Sequence, residues 1–324
     1  MTKKPIILLF IIVVLLLVSL AGCKSEKVEV GEEQFTNEVD GKVGTAVKDD
    51  EEKTMRDFNN IVKSDNEPFV IVKFIDENIQ KVTKEDAVKM IESLEEVQEQ
   101  YLEEYGEQLF MEDYQGELIG LSKGQESQLF FNEIKTEEIK NANLKELMDK
   151  ILKGKYKLIN MEGAFYPIID YETLKIYNDY LSDEMKGYID IKSIDSNNPT
   201  VLDASLVISF DELAERLIKT ENYIKEYPDG IRYEELLRLF GVYLRFYLEG
   251  VDNTPIYDYE TKEIKNEVLK SYKKTEAKKD TVTSNIVSKY ISIIEENQNI
   301  IDNNVFSKIT ELYNEAIATL EEYK

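Results

Sequence analysis

From residue 55 onward, apolar residues recur at helical spacing through most of the chain, and the gaps between these runs carry helix-capping chemistry. Thr83 and Asp86 resemble a capping box, with Asp in the place of the usual Glu. Ala87, Ile91, Leu94, Val97, Tyr101 and Tyr105 follow at helical intervals, and Gly106 closes the segment. Ser209 and Glu212 form a second box ahead of Leu213, Leu217, Ile218 and Ile224. Tyr227-Pro228-Asp229-Gly230 breaks that run, and Tyr233, Leu237, Phe240, Leu244 and Leu248 carry the next helix to Gly250. Met55, Phe58, Ile61 and Val62 share one helical face. A further helix covers 137–153, with Leu144, Leu147, Ile151 and Leu152 as its stripe and Gly154 at its end. Two closing helices, Val282–Asn297 and Phe306–Tyr323, flank the turn Asp302-Asn303-Asn304. Between Phe69 and Ile79 the β-branched content favours strand, whereas the spacing Ile71, Ile75, Ile79 favours helix; we take helix. Residues 107–135 stay ambiguous because Gly116, Gly120 and Gly124 dilute any period, and 192–208 reads as a loop. The expectation is an all-α fold of helical hairpins packed as a bundle or short array. It falls into regions 54–195 and 196–324, or one continuous domain 54–324.

The N-terminus is of another kind. Lys3 and Lys4 precede an unbroken apolar run, Ile6–Val18, that ends in small residues. This is the pattern of a secretion signal, and the run is short of the roughly 20 residues a spanning helix needs. The residues Leu20-Ala21-Gly22-Cys23 that close it resemble the lipobox of bacterial lipoproteins. The resemblance implies removal of 1–22 and a diacylglycerol joined to the Cys23 thiol by a thioether. It places the protein at the extracytoplasmic face of the cell membrane. Several acyl chains, at about 0.8 kcal/mol per buried methylene, hold a protein on a bilayer without a span. Residues 23–53 are polar and acidic, with the run Asp49-Asp50-Glu51-Glu52, and read as a disordered tether with a reach of about 30 Å.

Composition removes whole classes of chemistry. The formal charge is −25, and loss of the two lysines of 1–22 makes it −27. Such a surface repels nucleic acid and favours a solvated, monomeric body or a basic partner. Cys23 is the lone cysteine, so the fold stands on core packing without an intramolecular disulfide. There is no His, which excludes Ser-His-Asp and Cys-His catalysis and any His-ligated zinc site. No cofactor, no metal and no catalytic residues are expected. Glu95, Glu96, Glu99, Glu103 and Glu104 read as a solvated helix face rather than a catalytic carboxylate pair. Asp195-Ser196-Asn197-Asn198-Pro199 is oxygen-rich but lacks the Gly and Glu of an EF-hand loop, so it reads as a turn.

One stretch occurs twice. Residues 167–181 and 255–269 are identical at nine of fifteen positions, sharing Pro-Ile-x-Asp-Tyr-Glu-Thr, and each follows a Glu-Gly pair, Glu162-Gly163 or Glu249-Gly250. The reading is the same for both. A helix ends at the Gly, Pro167 or Pro255 stiffens a turn, and Asp170 or Asp258 caps a new helix. The two copies imply two related helical units. The alternative makes both Asp-Tyr-Glu clusters ligand sites, with Tyr171 and Tyr259 as stacking platforms. The segment from Ala214 through Tyr223 to Tyr227-Pro228 is similar to a tetratricopeptide-type helix ending over fewer than forty residues. It lacks that family's Trp and Gly-Tyr positions, so the likeness implies a helical hairpin. Tyr outnumbers Phe by 20 to 13, which suits half-buried packing first. The functional expectation is a non-enzymatic, lipid-anchored envelope protein that binds another envelope protein or a peptide. The alternatives are a receptor with a Tyr-lined cleft for sugar or peptide, and a carboxylate-pair glycoside hydrolase.

Overall fold

Helices dominate the computed structural model, which describes residues 41–123 and 129–324, with backbone alone for 41–48. The signal 1–22, Cys23, most of the expected tether and Gly124 lie outside the described residues. The first described helix, α1, spans Gly41–Lys63, so the last part of the stretch read as tether is helical. The side chains explain why order starts before Met55. Glu51 accepts the amide of Thr83 at 2.8 Å, and Thr54 is buried. Thr83 caps α3 (Lys84–Leu109) by accepting the Asp86 amide, so the capping box is completed by α1's Glu51 rather than by Asp86.

α2 runs Pro68–Asn78, with proline pre-set at its first turn and Ile71 and Ile75 buried, so spacing prevails over β-branched content. α3 continues past Gly106 to Leu109, which is buried beyond it. α4 (Tyr114–Ser122) fills part of the ambiguous stretch. α5 (Ala142–Lys153) starts later than expected. Asn141 caps it, and a separate 3-10 turn occupies Glu133–Glu138. α2, α3 and α5 pack together with a β-hairpin, β1 (Tyr156–Met161) and β2 (Ala164–Ile169).

That hairpin corrects the first copy of the repeated stretch. Glu162-Gly163 does not end a helix. It is a two-residue hairpin turn with φ of 51° and 82°, the positive pair that matches strand twist. Pro167 pairs with Leu158 inside β2. Beyond Asp170 come only one helical turn, α6 (Tyr171–Leu174), and a 3-10 turn, Lys175–Tyr180. α7 (Asp183–Asn197), capped by Ser182, runs on through Asp195 into the stretch read as loop. Two further short hairpins follow it, β3–β4 (Val201–Leu202, Ser205–Leu206) and, later, β5–β6 (Gly250–Val251, Thr254–Pro255).

The hairpin of α8 (Phe210–Glu226) and α9 (Tyr233–Glu249) follows its sequence signals. The Ser209 hydroxyl accepts the Glu212 amide, and Gly250 takes φ 78° at the C-cap. In the second copy, Asp258 caps a turn, not a helix; α10 begins only at Asn266 and ends at Glu276. α11 (Val282–Glu296) and α12 (Asn303–Glu321) pack as successive hairpins, with α12 also against α9. Ala46–Lys324 forms one compact unit. The tyrosine surplus sits in its interior. The hydroxyls of Tyr156, Tyr272 and Tyr290 donate to buried backbone carbonyls of Gln98, Tyr247 and Leu248. No described helix is long and apolar enough to cross a membrane.

Candidate functional site

Two features stand out in the folded unit, a buried charge cluster and an apolar-floored cleft. The cluster starts from α3. Glu95 follows Ile91 by four positions and Leu94 by one, so the helix carries it onto the buried face with Gln98, not onto the solvated one its neighbours share. α6 supplies Tyr171. α7 supplies Tyr188 and Lys192, one turn apart. α9 supplies Arg232 at its N-cap and Glu235 in its first turn.

The groups satisfy one another. Glu95 Oε1 accepts the hydroxyls of both Tyr171 and Tyr188, and Glu95 Oε2 accepts Arg232 Nη2 at 2.5 Å. Glu235 accepts Tyr188 at 3.0 Å, Lys192 at 2.8 Å and Arg232 at 3.3 Å. The Lys192 ammonium lies 5.1 Å from the Tyr171 ring centre, and the Arg232 guanidinium 4.6 Å from that of Tyr188. Burial alone would raise the Glu235 carboxyl, but Lys192 and Arg232 outweigh it and hold it below the ordinary value. Burial works against the Lys192 ammonium, yet Tyr171, Glu235 and Glu95 keep it charged. Burial raises Glu92 at the edge of the cluster. Glu235 and both oxygens of Glu95 are engaged by bases and hydroxyls, so the two acids tie α3, α6, α7 and α9 together.

Smaller networks have the same character. Glu221, fully buried on α8, accepts the amides of Val282 and Thr283 at 2.7 and 2.9 Å and the Lys225 ammonium at 2.6 Å, so it caps α11. Arg216 is buried and gathers the Asp195 carboxylate (3.1 Å), the Thr200 hydroxyl (2.8 Å) and the Asn198 carbonyl (2.8 Å). The oxygen-rich segment is thus an arginine-anchored corner. Among the described residues no cluster of acids has the arrangement of a metal site.

The expected platforms end up apart. Tyr171 is 6% exposed with its hydroxyl on Glu95, whereas Tyr259 is 60% exposed with its hydroxyl on the Asp252 carbonyl at 2.8 Å. Tyr171 stands near the start of α9 through Lys192 and Glu235, and Tyr259 stands past its end. The 17 residues of α9, about 25 Å, separate the two neighbourhoods. Asp170 does not cap. Its carboxylate takes the buried Lys157 ammonium at 3.0 Å.

The cleft lies elsewhere, between β4, the start of α8 and α10. It has a volume of about 380 Å³ and an apolar floor of Leu206, Ile208 and Phe210, with Lys270 and Lys274 in its wall. Sequence reading missed it because Leu206–Ile208 registered only as a short apolar run. A second, polar groove of about 660 Å³ follows α1, with Glu51, Arg56 and Lys63 mixing both signs. Comparison with protein-family models, with curated proteins and with solved structures gives no match.

Proposed function

We propose that this chain is a lipid-anchored protein of the bacterial cell envelope, held by a diacylglycerol on Cys23 at the extracytoplasmic face of the membrane. It works by binding another envelope protein or a peptide rather than by catalysis. The anchor half of this reading is supported by Leu20-Ala21-Gly22-Cys23 behind its basic and apolar leader. The binding half is carried by one contrast. The buried acids and bases at the α3–α9 junction are spent on each other, while the β4–α8–α10 cleft offers an apolar floor to solvent. The acidic charge of the body accords with a monomer that shuns nucleic acid.

Two measurements test the halves separately. Cys23→Ser is expected to lose incorporation of labelled fatty acid and to leave the membrane fraction, since a hydroxyl forms no thioether. A Ser variant that still carries the label sinks the anchor. Crosslinking on intact cells is expected to capture a defined partner with the parent chain; turnover of a wall polymer by the purified protein would instead favour the hydrolase.

A further inference from the structure

The stretch around α10 carries more lysine than acid, in a chain that is acidic overall. Between residues 265 and 280 six lysines stand against three acids, in a chain of formal charge −25. Lys270, Lys273, Lys274, Lys278 and Lys279 are exposed. Lys274 is engaged by Asp211, and Lys273 faces Glu295 at 3.8 Å. Among the described residues, no carboxylate lies within 4.0 Å of the ammonium of Lys270, Lys278 or Lys279. Of these, Lys270 lines the apolar-floored cleft, whose volume falls in the range of ligand pockets, and Val207, between Leu206 and Ile208 of its floor, is exposed.

We propose that this cleft docks an acidic peptide segment of a partner protein. An apolar side chain of the segment rests on Leu206, Ile208 and Phe210, and its carboxylates meet Lys270 and the lysines beyond it. The proposal rests on the anchored-binding reading above and names the partner's chemistry. Charge complementarity selects an anion, since Lys270 in the wall has no carboxylate within 4.0 Å among the described residues and further exposed lysines follow it along the chain. Concavity selects a chain over a bilayer, because a flat headgroup surface does not follow the cleft down to its floor. The lining also holds Glu267 and the Lys274-paired Asp211, whose oxygens can accept hydrogen bonds from peptide N–H groups.

The full chain, held in detergent micelles, is titrated with a labelled peptide of alternating Glu and Leu and with its Lys-for-Glu counterpart. The acidic peptide is expected to bind, more weakly as salt rises, and the basic one to fail. Lys270→Glu should weaken binding about tenfold, equivalent to about 1.4 kcal/mol, and Lys270→Arg should retain it. Absent binding, or binding indifferent to Lys270→Glu, overturns the assignment. So does Lys270-dependent binding to vesicles of equal phosphatidylglycerol and phosphatidylcholine that the peptide does not match. In cells, a photoreactive residue at Val207 is expected to capture a partner segment rich in acids. One at Tyr323 should not, because Tyr323 packs by Lys225 at the far end of α8, about 25 Å away. Capture from Tyr323 alone overturns the cleft and leaves the anchored-binding reading standing; capture from no surface position defeats both.

Discussion

Residues 167–181 and 255–269 share nine of fifteen letters and almost none of their structure. In the first copy the turn after Asp170 is closed by the backbone: the Asp170 carbonyl accepts the Thr173 amide at 3.1 Å. The carboxylate is thereby free to meet Lys157 inside the protein. In the second copy the Asp258 carbonyl accepts the Lys262 amide at 2.9 Å, and the carboxylate stays within the turn, accepting the amides of Glu260 and Thr261 at 2.9 Å in solvent. The shared residues fix a bend, and the unshared ones decide where it goes. Leu174 and Tyr177 are buried and hold a helical turn against the core. Lys262 and Lys265 stand in their places, and Lys262 turns outward with φ 61°. Burial, rather than the repeated motif, sets each acid's role.

Exchanging the deciding residue should break the comparison most severely. Leu174→Lys puts an ammonium at a site that is 1% exposed. The lost burial alone is worth about 2–5 kcal/mol, and the unpaired charge adds to it, so the variant should be mostly unfolded. Lys262→Leu, at an exposed position, should stay within about 0.5 kcal/mol of the parent. Circular dichroism melts of the pair decide; equal melts would mean that this position does not direct the two paths.

The acids come next. Asp170→Ala leaves the buried Lys157 ammonium with only the Asn197 amide oxygen, at 2.6 Å, and the Phe130 ring. Losing one partner of a buried pair costs about 3 kcal/mol or more. Tyr171→Phe removes one of three donors from buried Glu95 and should cost about 2 kcal/mol, while Tyr259→Phe should be silent within about 0.5 kcal/mol. Denaturant titration measures both. If Tyr259→Phe weakens partner capture while leaving stability untouched, Tyr259 is a recognition residue and the second copy has a function that the first lacks.

How much of this was legible follows from where each partner lies along the chain. Local partners were readable: Ser209 with Glu212, the Pro228-Asp229-Gly230 break, and Gly250 at the end of α9 gave the α8–α9 hairpin because each interaction spans a few residues. Distant partners were not. Lys157 reaches Asp170 only because Glu162-Gly163 folds β1 back on β2, and that same Glu-Gly reads equally well as a helix C-cap. Glu95 was readable in principle, since its spacing from Ile91 places it on the apolar face. The surrounding acids hid it, and its partners Tyr171, Tyr188 and Arg232 lie on three later helices. The cleft is formed by β4, α8 and α10, and no single window of sequence contains its floor and its lysines.

The finest distinction between the copies is electrostatic, and asparagine isolates it. Asp258 needs an oxygen acceptor for two amides, which an amide side chain still provides. Asp170 needs a charge for Lys157, which an amide lacks. Asp258→Asn should therefore melt within about 2 °C of the parent, and Asp170→Asn should fall nearly as far as Asp170→Ala. The amides of Thr261 and Glu260 also hold the Asp258 carboxyl below its ordinary value of 3.8. For a carboxyl depressed in the folded state, the stabilisation is complete above the unfolded value and disappears as the pH falls through the folded one. The gap between parent and Asp258→Ala should thus be constant from neutral pH down toward 4 and then close in stronger acid. Carboxyl NMR titration of Asp258 supplies the direct check. A midpoint at or above 3.8 would mean that the turn amides are not held by the carboxylate, and the second copy would then differ from the first in exposure alone.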